Sequence, residues 1–137
     1  MKSIISLIVI FLTAITIAQT EGTTITIKVE NVLSNKGKVG LGLYNEVTFM
    51  KALPLENHFE KIENGVAVFT IKNVQPGNYG IMCFHDENDN DKMDFESSGM
   101  PKENYGVSNN EVSFGPPLWE NARFEVGKED LELVIRM

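Results

Sequence analysis

Apolar side chains recur at every second position in several separate runs of this chain, and that period admits strands and little else. In Thr24–Val32, Ile25, Ile27 and Val29 fall on one side while Thr24, Thr26, Lys28 and Glu30 fall on the other. Lys38–Tyr44 repeats the pattern, setting Val39, Leu41 and Leu43 against Gly40, Gly42 and Tyr44. Asn121–Val126 places Ala122, Phe124 and Val126 together, and Leu131–Met137 does the same with Leu131, Leu133 and Ile135. Each run reads as a half-buried strand, one face in a core and one in water. Tyr79–Phe84 is apolar on both faces and reads as a central strand.

Turn chemistry separates these runs. Asn64-Gly65 between His58–Ile62 and Val66–Ile71 is the strongest hairpin signal in the chain. Gln75-Pro76-Gly77 has the proline-then-glycine order of a type II turn. Ser34–Gly37 and Gly127–Asp130 also read as turns. Asn45–Leu55 loses the period and predicts a connector packed on a sheet edge, or a short helical turn ended near Pro54. Gly40 and Gly42 leave their face bare, which permits close approach of a neighbour. About seven short strands without a long amphipathic helix predict an all-β fold: a single antiparallel β-sandwich carrying one long loop over residues 85–119.

The N-terminus reads as an export signal. Lys2 is a short basic region, Ile4–Ile17 is mostly apolar, and Thr16-Ile17-Ala18 ends in a small-x-small cleavage pattern. Residues 1–18 are thus expected to be a signal peptide, cut near Ala18. Residues 19–137 would form the folded domain, exported to the periplasm or the extracellular space. The apolar run is short for a membrane span, so no transmembrane segment is expected in the mature chain. The full chain of 137 residues carries a formal charge of −7, and loss of Lys2 makes it −8. That acidity argues against nucleic acid and anionic lipid as partners. Cys83 is the single cysteine and sits in an apolar run, which excludes an intramolecular disulfide and predicts a buried, inert thiol.

The long loop holds the chemistry. Asp86, Asn88, Asn90, Lys92 and Asp94 stand two residues apart, the ligand rhythm of a calcium loop, with a backbone carbonyl supplied at the lysine. Calcium is a hard cation and takes oxygen ligands. Asp91 stands where such loops need a left-handed residue, a conformation Asp tolerates. Ser97 stands where a bidentate Glu would close the site. The expected site is therefore weak, of the roughly 10⁻⁴ to 10⁻³ M class. The same Asp/Asn-rich run also suits a solvated turn. Residues 86–96 hold six carboxylates and one cation, Lys92, a charge density that favours either splaying into water or neutralisation by an ion. His85 is a candidate metal ligand or other ligand-binding residue, a general base or a structural histidine. Glu103, Tyr105, Asn109 and Trp119 are further candidate ligand-binding residues. Met93, Phe95, Tyr105, Phe114, Leu118 and Trp119 are candidate apolar anchors for so long a loop.

FTIKNVQPGNYGI, from Phe69, resembles the strand–turn–strand of transthyretin-like and carboxypeptidase-regulatory-like sandwiches; an immunoglobulin-like arrangement of the strands remains an alternative. Three further strings carry a sharper likeness: PGNYGIMCFHDENDNDKMD, GMPKENYGVSNN and FGPPLWENARF. In this order they resemble the bacterial family known as domain of unknown function 2141. The matching positions are His85, Asp86, Asn88, Asn90, Asp94, Gly99, Pro101, Glu103, Tyr105, Gly106, Ser108, Asn109, Phe114, Gly115, Pro116 and Ala122. The resemblance implies export and a sandwich fold, and no activity.

Two classes of function follow. One is a non-enzymatic binding or accessory module that presents the long loop to a partner such as a glycan or an envelope protein, with calcium stiffening the loop. The other is a small hydrolase using His85 with Asp86 or Glu103. Against the latter, Ser108 and Ser113 lack a nucleophile-elbow context and no zinc-ligand spacing is present. A purely structural envelope protein is the third alternative.

Overall fold

The computed structural model describes residues 21–137. The expected signal peptide, residues 1–18, lies outside the described residues. Eight strands form: β1 (Thr23–Glu30), β2 (Lys38–Tyr44), β3 (Glu56–Glu60), β4 (Ala67–Val74), β5 (Gly77–Asp86), β6 (Tyr105–Val107), β7 (Phe124–Val126) and β8 (Leu131–Arg136). A one-turn helix, α1 (Trp119–Ala122), precedes β7. The strands make two sheets, one of order β4-β1-β8 and one of order β3-β2-β5-β6 in which β7 also pairs with β5. The fold is an all-β sandwich, as the alternation predicts.

Period two explains the core. Ile25, Ile27 and Val29 of β1, Ala67, Phe69 and Ile71 of β4, and Ile135 of β8 face Val39, Leu41 and Leu43 of β2 and Ile81 and Cys83 of β5. All are essentially inaccessible to solvent. Cys83 is buried as expected, and burial pushes its thiol up to about 12. All ladders are antiparallel except β1 with β8, which run parallel. The exception arises because β8 enters from β7 in the other sheet, so no tight hairpin dictates its direction.

Both turns that separate β3, β4 and β5 cross between the sheets. Glu63 and Val66 exchange backbone hydrogen bonds of 2.8 and 3.1 Å around Asn64-Gly65, with positive φ at both central residues. The local turn is the primed kind that Asn-Gly favours. It does not close a hairpin ladder, because β3 pairs with β2 and β4 pairs with β1 in the opposite sheet. The Gln75-Pro76-Gly77 turn likewise crosses between sheets, and Gly77 is not among the residues with positive φ, so the type II form is not adopted. Tyr79 fixes this crossover: its hydroxyl donates to the Gln75 carbonyl at 2.9 Å, the tyrosine-corner arrangement of Greek-key sandwiches.

The outer face of the five-stranded sheet is paved by aromatic rings. The rings of Phe84 and Phe59 lie over Gly40, and that of Tyr44 lies over Gly42. The connector at residues 45–55 drops Phe49 onto Gly80, edge-on to Tyr44 at 5.9 Å and to Trp119 at 5.6 Å between ring centroids. The bare glycine stripe is thus where rings approach the backbone.

Candidate functional site in the loop from β5 to β7

Strand β5 runs on to Asp86, so the stretch begins from a fixed point. Asp86 is fully buried. Its carboxylate accepts hydrogen bonds from the backbone N–H groups of Asn90 (3.0 Å) and Asp91 (2.9 Å), which folds residues 86–91 into a tight knot. Asp89 and Asp91 take positive φ, as expected for Asp91, because a short polar side chain tolerates the left-handed region. The knot closes on Lys38 at the start of β2. The Lys38 ammonium is ion-paired with Asp89 (2.8 Å) and Asp91, is 3.9 Å from Asp86, and sits 4.8 Å from the Phe59 ring centroid. Hydrogen bonds donated to Asp89 and Asp91 hold the ammonium's pKa well above its ordinary range.

The structure divides the five residues of the predicted calcium rhythm. Asn88 and Asn90 turn their amide N–H groups onto the Asp94 carboxylate, at 2.6 Å and 2.9–3.0 Å, which lowers the Asp94 pKa. The Lys92 amide donates to the Asn90 side chain at 3.2 Å. Asp86 instead joins Asp89 and Asp91, and one carboxylate oxygen from each of these three lies within 4.8 Å of the others. The odd-numbered carboxylates were missed because a period-two template looks past them, whereas two left-handed residues curl the chain and bring them back.

Beyond the knot, residues 94–102 form a second tight loop. Glu96 donates to Met100 at 2.7 Å and Lys102 to Asp94 at 2.9 Å, with Gly99 left-handed at the tip. Glu103 accepts a hydrogen bond from the Asp94 amide at 3.1 Å. Burial, with the nearby charges of Asp94 and Asp86, raises the Glu103 pKa.

The remaining candidates go to separate places. His85 lies on the inner face, 1% exposed. Its Nε2 is 2.7 Å from the Lys36 carbonyl, which can only accept, so Nε2 carries the proton. Its Nδ1 is 3.7 Å from Glu87. Tyr105 is partly exposed on β6, at the outer edge of the aromatic row Phe59–Gly40–Phe84–Tyr105. Trp119 sits at the other end of β5, against Phe49 and Gly80. Asn109 donates to the carbonyls of Asn121 and Arg123, both at 2.9 Å, and so clamps α1 and β7.

The stretch is anchored by polar groups more than by the predicted apolar ones. Ser108, 2% exposed, accepts the Ile81 N–H at 3.0 Å and donates to the Ala122 carbonyl, filling the gap along β5 between β6 and β7. Asn110 donates to Val134 O (2.8 Å) and accepts from Arg136 N (2.7 Å), pairing with β8 as a strand would. Met93 and Trp119 are part-buried, whereas Phe95, Tyr105, Phe114 and Leu118 are exposed. Val112 and Phe114 lie almost wholly in solvent. The Asn-rich composition signalled this clamping, but composition alone does not say which carbonyl an amide reaches.

The fold and this stretch together define a β-sandwich with one elaborated, self-pinned loop on its five-stranded sheet. Residues 27–133 match the family described as an uncharacterized protein conserved in bacteria, DUF2141. The chain belongs to that family, as its three strings suggested. No curated protein and no solved structure matches it.

Proposed function

We propose that this chain is an exported, non-enzymatic binding module, in which the sandwich holds residues 86–119 as a recognition surface for an envelope component. One observation carries the reading. Polar side chains of the stretch are spent on the protein's own backbone, within the stretch at Asp86 and on residues 121–136 at Asn109 and Asn110, while Phe95, Met100, Val112, Phe114 and Leu118 stand in solvent. A loop pinned in place that leaves these large apolar groups exposed has the character of an interaction surface. The hydrolase alternative is less well supported: His85 is enclosed and its Nε2 proton is held by a backbone carbonyl. The test is co-sedimentation with purified, insoluble cell-envelope material. The expected result is that the wild-type chain pellets and a Val112→Ser/Phe114→Ser variant of equal thermal stability stays in solution. Equal recovery of both in the supernatant would refute the reading.

Calcium belongs to this proposal as a stiffener of the knot. The hard-oxygen donors of Asp86, Asp89 and Asp91 suit it, with the ion taking the place of the Lys38 ammonium. Millimolar calcium is expected to raise the unfolding midpoint, because a ligand of the folded state alone must stabilise it. The rise should be larger in Lys38→Met and absent in Asp86→Ala. Identical midpoints with calcium and with chelator in both wild type and Lys38→Met would remove the ion from the proposal.

A further inference from the structure

At the Gly77 end of β5, remote along the strand from the acidic knot, a groove of about 310 Å³ opens between the 45–55 connector and α1. Its walls are Asn45, Glu46, Val47, Asn78, Trp119, Glu120 and Arg123. The volume is at the lower end of the range of small-molecule sites. From these walls the geometry points to a binding site for a neutral sugar, with the Trp119 indole as its stacking face. The inference does not depend on the exposed 95–118 surface.

The indole is set rigidly. It meets Phe49 edge-on, and Phe49 and the six-membered ring of the indole both rest over Gly80, where an added Cβ would stand 3.1 Å from Phe49 and 3.2 Å from Trp119. No hydrogen bond engages the indole N–H among the described residues, and no buried side-chain polar atom is left unpaired, so that N–H is open to solvent. Asn45 and Asn78 supply amides, each both donor and acceptor. Asn45 uses its side-chain oxygen on Val47 and Thr48 amides, which leaves its N–H groups for a ligand. Glu46 adds an acceptor. Glu120 and Arg123 are paired at 3.0 Å, which fixes a guanidinium at the rim.

This set selects by chemistry. One apolar ring face beside interleaved donors and acceptors matches a molecule with an apolar C–H face and many hydroxyls. An anion meets two carboxylates against one guanidinium that is already paired. A cation is drawn by those carboxylates but leaves the free Asn45 N–H donors unused, whereas the hydroxyls of a neutral pyranose accept from them.

Trp119 is the only tryptophan of the chain, so its fluorescence reports on this groove alone. Residues 19–137 are titrated with cellotetraose and with chitotetraose, following tryptophan emission and backbone amide NMR shifts in parallel. The expected result is saturable binding at millimolar or lower concentration, with shifts confined to residues 45–49, 78–80 and 119–123. Asn78→Ala and Arg123→Met, both exposed positions, should weaken it about tenfold or more with unchanged unfolding midpoints. Absence of saturable change in both signals overturns the proposal. So does undiminished affinity in both variants, which places the sugar elsewhere, or binding of tetramethylammonium in preference to either sugar, which makes the groove a cation site. A Val112→Ser/Phe114→Ser chain should bind the sugars as wild type does, so the two surfaces fail or stand separately.

Discussion

Single residues set tolerances in this molecule that composition does not reveal. Gly106 on β6 faces inward, and an added Cβ would stand 2.6 Å from the Ile135 Cγ2 and 3.0 Å from the Arg136 carbonyl. Gly106→Ala should destabilise the chain by about 1–3 kcal/mol, the usual cost of overpacking a filled core. In Ile135→Ala the same change should cost less, and a double-mutant cycle by urea unfolding measures the coupling. Glu103 offers a test by pH. Its folded pKa is raised by burial and by neighbouring carboxylates, so the ionised form costs stability above that pKa, and the cost is relieved as pH falls through it. Glu103→Gln keeps an acceptor for the Asp94 amide and removes the charge. The variant should melt higher than wild type at neutral pH, and the gap should close below about pH 4.5, the ordinary value. Asp94 has the opposite sign: its lowered pKa contributes stability that is lost as pH falls through its folded value. A gap that instead widened toward acid would show that burial does not raise Glu103.

At the scale of elements, a side chain takes the place of a strand. The outer edge of β8 is covered at residues 134–136 by the Asn110 amide, which makes both a donor and an acceptor bond to the backbone. Asn110→Ala should cost about 1–2 kcal/mol for the two lost bonds. It should also open an edge that invites pairing with another chain, seen as concentration-dependent self-association in analytical ultracentrifugation. Asn110→Asp, which keeps the acceptor for Arg136 and loses the donor to Val134, should fall between. The same elements show what could be read beforehand. β1 and β8 were legible because one face is core and the other faces solvent, so every second residue carries the signal; β2 was legible by the same alternation although both its faces are covered, because glycines under aromatic rings stand where polar residues would. β6 has three residues, too few for a period to register, and its place is fixed by Ser108 and Asn110, which bond across 24 to 27 positions of sequence. Asn121 and Ala122 read as the start of a strand because Ala122, Phe124 and Val126 alternate. They fall in α1 instead, because Asn109 and Ser108 take the carbonyls that a longer β7 would have used. The acidic stretch was recognisable as a dense local cluster of carboxylates. Its inner wiring was not, since the left-handed turns at Asp89 and Asp91 decide which carboxylates meet.

For the whole molecule, charge is the property that the fold must accommodate. Nineteen acidic residues face twelve basic ones over the full chain, an excess that no set of pairs can cancel. The surface ion pairs present, such as Lys28 with Glu30 and Arg123 with Glu120, are exposed, and each is worth about 0–1 kcal/mol. Self-repulsion of the acidic excess opposes the compact state over longer distances. Salt shortens the reach of charge from roughly 30 Å at 0.01 M to about 8 Å at 0.15 M, so it weakens long-range repulsion more than close pairs. The unfolding midpoint should therefore rise with sodium chloride across that interval. The knot concentrates the effect, because Lys38 is the cation set among Asp86, Asp89 and Asp91. Lys38→Met leaves those three carboxylates facing one another, one of them fully buried, and should steepen the dependence on salt. A midpoint that fell with salt would mean that the close pairs, and not the acidic excess, dominate the electrostatics. In that case Lys38→Met should flatten the curve, because the strongest of those pairs would be gone.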